Sequence, residues 1–269
     1  MFKVIKEIAT DHFSNRSQII KLAKADLFRT YRGAALGWAW AIIKPVVTIA
    51  AYWFAFTVGL RAGGKVNGYD FFLWLIAGVV PWFYMSEMLT QGTDSLRKYS
   101  YLVTKMKFPV STIPTFVSLS KMIINVIMIA IVIIIFWISG YPPTIYYLQI
   151  PFYILLDMIF FTLWALFSSL FAAVSKDFAN LVKSFITALF WFSGILWDAT
   201  KIRNIWIKRI MFFNPITYLV NGFRNSFINK IWFFEQTNLL LYFSVVTLFM
   251  FFLAVICYKK LRKDIPDVL

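Results

Sequence analysis

Five ionisable side chains fall inside or beside long apolar runs: Lys44, Glu87, Lys121, Asp157 and Lys183. A charge at membrane depth marks a pathway, a relay or a ligand site unless its stem carries it back to water. Lys44, Glu87, Lys121 and Lys183 lie close enough to run ends to reach the interface by that route. Asp157 lies deeper, toward the other end of its run, and is either a structural hydrogen-bonding group or part of a pathway. Other chemistry is missing. His12 is the sole histidine, which excludes His-based metal clusters and catalytic triads. Gly63, Gly64 and Lys65 lack the spacing of a phosphate-binding loop, so the chain has no such route to ATP. Glu87 and Asp94 form the nearest acidic pair. That is little for a membrane-embedded transferase on lipid-linked sugars, which needs paired carboxylates or histidines. Neither a metal nor a cofactor is expected on this chain.

The elements that carry these groups are membrane spans. Of 269 residues, 61% are hydrophobic, 20% aromatic and 14% charged, against about 45–50% apolar and about 25% charged in soluble domains. The apolar residues gather into runs at 36–60, 71–89, 112–139, 151–174, 178–197 and 239–258, each of spanning length. The expected fold is an all-α integral membrane protein with six transmembrane helices. Lys/Arg excess beside a span marks the cytoplasmic side. Arg29 and Arg32 precede the first span, and Lys259, Lys260, Arg262 and Lys263 follow the last, so both termini are expected in the cytoplasm. The net charge of +15 thus reports topology and anionic lipid, not nucleic acid. The first 35 residues spread their charges and lack a compact apolar core, so they are not a signal peptide. Cys257 is the only cysteine and permits no internal disulfide.

Three segments lie between or beside the spans. Residues 2–28 alternate Ile5, Ile8, Ile19, Leu22 and Ala23 with Lys3, Lys6, Arg16, Lys21 and Lys24, the pattern of a helix on the inner surface. Residues 93–109 place Leu96, Tyr99, Val103 and Met106 on one helical face and Arg97, Lys98, Lys105 and Lys107 elsewhere, with a stop at Pro109. Such a helix either rests on headgroups or docks a partner protein. Residues 198–238 carry Lys201, Arg203, Lys208, Arg209, Arg224 and Lys230, although six spans put them outside. A seventh span over 211–228 would strand Asn214, Asn221 and Arg224 in hydrocarbon. Two short re-entrant helices broken at Asn214 and Pro215 are expected instead. The aromatics Trp38, Trp40, Tyr52, Trp74, Trp82 and Trp191 either belong to interfacial belts or line a passage whose flat rings receive sugar faces.

Taken together, the residues resemble the ABC-2 type permeases that export lipid-linked polysaccharides. The resemblance covers essentially the whole chain. It rests on Asp26, Tyr31, Arg32, Gly33, Leu36, Gly37 and Trp40; Lys44 and Pro45; Lys107 to Pro109 with Pro114; Lys176, Asp177 and Phe178; Phe190 to Ile195; and Asn214, Pro215 and Tyr218 followed by Arg224. Lys176 stands where the family often has Arg, and Gly194 where it often has Pro. The resemblance implies one transmembrane domain over 1–269 that forms a homodimer and binds two copies of a separate ABC-type ATPase. That partner would carry ATP and Mg, and the polymer would pass between the protomers. Residues 1–35 would be a cytoplasmic interface helix, with Lys21, Lys24, Arg29 and Arg32. Residues 93–109 would be the coupling helix, with Arg97, Lys98, Tyr99, Leu102 and Lys105 toward the ATPase. Residues 198–238 would stand near the exit, where Lys201, Arg203, Lys208, Arg209 and Arg224 either attract an anionic polymer or hold lipid headgroups. Within the family the chain looks most like teichoic acid permeases, so wall teichoic acid is the expected substrate. O-antigen or capsular polysaccharide is the alternative.

Overall fold

A computed structural model describes residues 1–30, 32–60, 64–106 and 108–269; Tyr31, Gly63 and Lys107, named above, lie outside the described residues. Among the described residues the regular structure is helical, apart from one bridge between Val66 and Tyr69 that closes a turn. The N-terminal surface helix is two pieces, α1 (Phe2–Ser14) and α2 (Arg16–Thr30), broken at Asn15, whose side-chain amide donates back to Asp11 O at 2.8 Å. Then come α3 (Trp40–Phe54), kinked by Pro45, and α4 (Phe71–Glu87), which contains Pro81. A π-helical turn at Met88–Gly92 leads into two short helices, α5 (Ser95–Lys98) and α6 (Ser100–Thr104). The long helices α7 (Ile113–Ile138) and α8 (Ile150–Val174) each open with a proline in the first turn, where its missing N–H costs nothing. They are followed by α9 (Lys176–Phe192), α10 (Ile205–Phe212), α11 (Pro215–Arg224), α12 (Thr237–Leu261) and α13 (Ile265–Val268).

Among the described residues five helical stretches are long and apolar enough to cross a membrane: Gly37–Gly59, Phe71–Gly92, Val110–Ile138, Ile145–Val174 and Phe233–Leu261. The sixth expected run, 178–197, is the departure. Its helix α9 has 17 residues, a rise of about 26 Å against a hydrocarbon core of about 30 Å. It stops at Phe192, and Gly194 then turns the chain with φ +65°. Glycine there supplies a left-handed turn instead of the expected bend within a helix.

α4 is the most enclosed of the spanning helices, buried from Leu73 to Trp82 between α3, α7 and α11, while α8 packs on α7 and α12. These helices form the larger of two apolar clusters. The second joins Val4 of α1, Ile19 and Ala23 of α2, Leu96, Leu102 and Val103 to Phe116, Leu170, Val255 and Tyr258 at one end of the bundle. Close approach of α11 and α8 depends on Gly222, because a Cβ at that position would overlap the Tyr153 ring. Gly222→Ala is expected to cost at least about 2 kcal/mol by overpacking, read as a lowered melting temperature in detergent.

Candidate functional site

At the end of the bundle held by the second cluster, α5 and α6 are clamped between α2 and α8. Asp26 of α2, 2% exposed, accepts at Oδ1 from Lys98 Nζ at 2.8 Å and from the Tyr99 hydroxyl. Arg97 donates from Nε to Ala172 O and from Nη2 to Ala173 O at 3.0 Å. Those carbonyls end α8, where they lack helical partners and a cation is favoured. Tyr99 leaves helical geometry at φ −113° and ψ 26°, splitting the expected 93–109 helix in two, and its ring lies edge-on to Phe116 at 4.9 Å. Burial by itself would raise the Asp26 carboxyl, but the hydrogen bonds from Lys98 and Tyr99 and the Lys98 charge outweigh it and hold it below the usual carboxylate value. Tyr99 moves the other way: burial first, then the Asp26 carboxylate, pushes its hydroxyl above the ordinary tyrosine value.

Of the five residues expected to face an ATPase, Arg97, Lys98 and Tyr99 bond to their own chain and Leu102 is buried; Lys105 is exposed. Met106, placed on the apolar face by its spacing, is exposed as well. Lys21, Lys24, Arg29 and Arg32 are all exposed, and the Arg29 guanidinium lies 5.9 Å from the Tyr99 ring centre. Lys183 of α9 pairs with Asp94 at 2.6 Å, with both side chains largely in solvent, so this bridge adds little. His12 ties α1 to α7 through a 2.8 Å contact between Nε2 and Thr115 Oγ1.

A cleft of about 150 Å³ opens between α3, α4 and α7, lined by Trp40, Lys44, Glu87, Lys121, Asn125 and Met128. It corrects the expectation that Lys121 reaches water by its stem, while Lys44 and Glu87 do reach it. The Lys121 side chain is 3% exposed and lies 3.6 Å from Glu87, a distance beyond a good hydrogen bond. Lys44 is exposed at the rim, and among the described residues no carboxylate pairs with it. Asn125 Oδ1 is buried without a donor. Asp157 is fully buried in α8, outside this cleft, and neither of its oxygens is bonded among the described residues.

Around residues 198–238 the largest correction is Arg224. Expected among cations near an exit, it is 2% exposed and donates from Nη1 to Gly194 O at 2.7 Å and from Nη2 to Ile195 O at 2.5 Å. Its guanidinium lies 3.5 Å from the Trp74 ring centre and crosses α4 at Gly78, where a Cβ would collide with it. Arg224 and Trp74 are thus one buried pin, neither an exit cation nor a passage wall. Trp82 is also buried, 5.5 Å from Phe190, which stacks on Tyr52 at 5.3 Å on its other side, so this trio ties α4, α9 and α3 together. Trp38, Trp40 and Trp191 remain exposed. So are Lys201, Arg203 and Arg209, with Lys208 half-buried. The break at Asn214 and Pro215 is where expected: the Asn214 side chain accepts from Ile216 N at 3.0 Å and Pro215 opens α11.

Residues 17–228, which hold the clamp, the cleft and the Arg224 pin, match the family of ABC-2 type transporters. The chain is 22% identical over 204 residues to the O-antigen export system permease protein RfbA of Myxococcus xanthus, across 76% of this chain and 75% of that protein. It is 24% identical over 127 residues to an O-antigen export system permease protein RfbA of Klebsiella pneumoniae, across 47% of this chain and 48% of that protein. A further Klebsiella pneumoniae protein of the same description is 27% identical over 96 residues, 36% of either chain. With its apolar helices and a match over most of its length, the chain belongs to the ABC-2 type transporter family.

Proposed function

We propose that the chain is the membrane permease of an ATP-driven exporter that carries a lipid-linked polysaccharide of the O-antigen kind across the cytoplasmic membrane. Support for the substrate comes from relatives described as O-antigen export permeases. Wall teichoic acid rested on the cations of 198–238, and that ground is weaker with Arg224 buried. Members of this family are transmembrane transporter subunits, not enzymes, so the transferase alternative is set aside. ATP and Mg bind on a separate ABC-type ATPase, and two copies of each subunit assemble with the polymer passing between the permeases. Both termini are cytoplasmic, on the ground of Arg29 and Arg32 before the first span and Lys259 to Lys263 after the last. α9 is the sixth crossing, and 198–238 forms the outer re-entrant segment.

The observation that carries this function is the clamp on α5 and α6. A short helical lever at one end of the bundle, bonded to α2 through Asp26 and to the end of α8 through Arg97, passes a push from outside into the spans. Because Lys98, Tyr99 and Leu102 are engaged internally, ATPase contact falls to exposed residues such as Lys105. Lys105→Glu is expected to lower transport-coupled ATP hydrolysis at least about fivefold while leaving the melting temperature of the permease unchanged. Purification in mild detergent should bring down an ATP-binding cassette subunit in stoichiometric amount. A chain that arrives alone and exports nothing would overturn the proposal.

A further inference from the structure

The cleft between α3, α4 and α7 contains two cations and one carboxylate, and its buried groups are incompletely bonded. Lys121 has three N–H donors and 3% side-chain exposure, and among the described residues its one ion pair is the 3.6 Å approach to Glu87. A largely buried lysine held by one long ion pair gains from a group that completes its shell. Asn125 Oδ1 is a buried acceptor facing no donor. Lys44 at the rim has no carboxylate partner among the described residues, and Trp40 exposes its ring beside it. Lys121 stands two turns into α7, about 12 Å along its axis from Ile113, within a stretch long and apolar enough to cross a membrane, where lipid is the neighbouring solvent.

We propose that this cleft binds a lipid headgroup built on a phosphodiester with hydroxyl groups beside it. The phosphate oxygens lie between Lys44 and Lys121 and receive charge-assisted hydrogen bonds. One negative charge offsets the surplus of one cation left by Glu87. Asn125 Oδ1 and the Glu87 carboxylate accept from the hydroxyls, and Trp40 covers the apolar face of the headgroup carbons. Two lipids have this chemistry, a glycerol-bearing phospholipid of the bilayer and the sugar–phosphate end of a lipid-linked polymer. The second source would make the cleft the place where export substrate is first held, and to that extent the site rests on the exporter function proposed above.

The test is native mass spectrometry of the purified permease in neutral detergent with phosphatidylglycerol, phosphatidylcholine and a short-chain polyprenyl phosphoryl mannose. Wild-type protein is expected to retain the mannosyl lipid or phosphatidylglycerol in preference to phosphatidylcholine. Lys44→Gln and Lys121→Gln should each weaken that retention about tenfold, and Lys121→Arg should largely keep it. Loss confined to the mannosyl lipid identifies the substrate end, and loss confined to phosphatidylglycerol identifies bilayer lipid; either supports the site. Equal retention of all three lipids, unchanged in Lys44→Gln, overturns it. Lys44 has no ion pair to lose, so its variant remains informative if Lys121→Gln fails to fold. No ATPase or transport enters the measurement, so a negative result leaves the exporter function standing. Intact lipid binding by a chain that recruits no ATPase would sink the exporter function and leave the site.

Discussion

Asp26→Ala is expected to free α2 from α5 and α6 and to remove most transport-coupled ATP hydrolysis while the spans stay folded. The substitution leaves the Tyr99 hydroxyl buried without an acceptor and the Lys98 ammonium without its counter-charge. Removing one partner of a fully buried pair costs about 3–5 kcal/mol. Lys98 keeps 32% of its side-chain exposure, so solvent recovers part of that and about 2–3 kcal/mol remains. Hydrogen exchange should therefore quicken in α2, α5 and α6 and not in α4 or α8. The wild-type junction also has a defined pH window. Asp26 titrates below its unfolded value, so its contribution is complete above about pH 4 and is lost as pH falls through the lowered folded value. Tyr99 titrates above its unfolded value, so its contribution is complete below about pH 10 and is lost as pH rises through the raised one. Protection of α2 should be flat between those limits. In Lys98→Ala the hydrogen bond and charge that lower Asp26 are gone while burial still raises it, so its folded value rises and the protection lost on acidification should shrink or change sign. An acid loss undiminished in Lys98→Ala would show that the clamp is not electrostatic.

Five of the six expected spans and the polar break at Asn214 were legible because both are written locally. A run of apolar residues of bilayer length has few alternatives, and Asn before Pro caps and opens a helix within four positions. The clamp was not legible, because Asp26 and Lys98 are 72 positions apart, and within its own segment Asp26 is one acid in a basic stretch. The same holds for Lys121 and Glu87, which meet only because α4 and α7 pack together. Helical spacing placed Leu96, Tyr99 and Val103 inward correctly, yet it implied one helix, since nothing local says that Tyr99 gives up helical geometry to reach Asp26. The shortness of α9 follows from Gly194, where the composition stays apolar as far as Trp197 but the backbone turns. Hydropathy reports what can lie in a membrane, not where the hydrogen-bond ladder ends.

Arg224→Met is expected to lower the melting temperature of the permease more than any single change among Lys201, Arg203 and Arg209. Methionine fills similar volume, so the effect isolates the guanidinium. Two charge-assisted hydrogen bonds to Gly194 O and Ile195 O vanish, worth about 1.5–3 kcal/mol each, together with a desolvated cation–π contact on Trp74 worth about 2 kcal/mol. Relief of the buried charge returns several kcal/mol, so the net loss is on the order of 3 kcal/mol. Arg224→Lys should not rescue, because an ammonium can neither fork to two carbonyls nor stack flat on the indole. Trp74→Phe, which keeps a ring under the cation, should cost about 1 kcal/mol. The reason for the ranking is mechanical. Gly194 and Ile195 lie just past the end of α9, α11 carries Arg224, and α4 supplies Trp74 and the space at Gly78. One side chain thus holds three elements, two of which are also joined by Asn214 Nδ2 donating to Ser193 Oγ at 2.8 Å. Equal melting temperatures for Arg224→Met and Arg203→Met would return Arg224 to the surface cations near the exit.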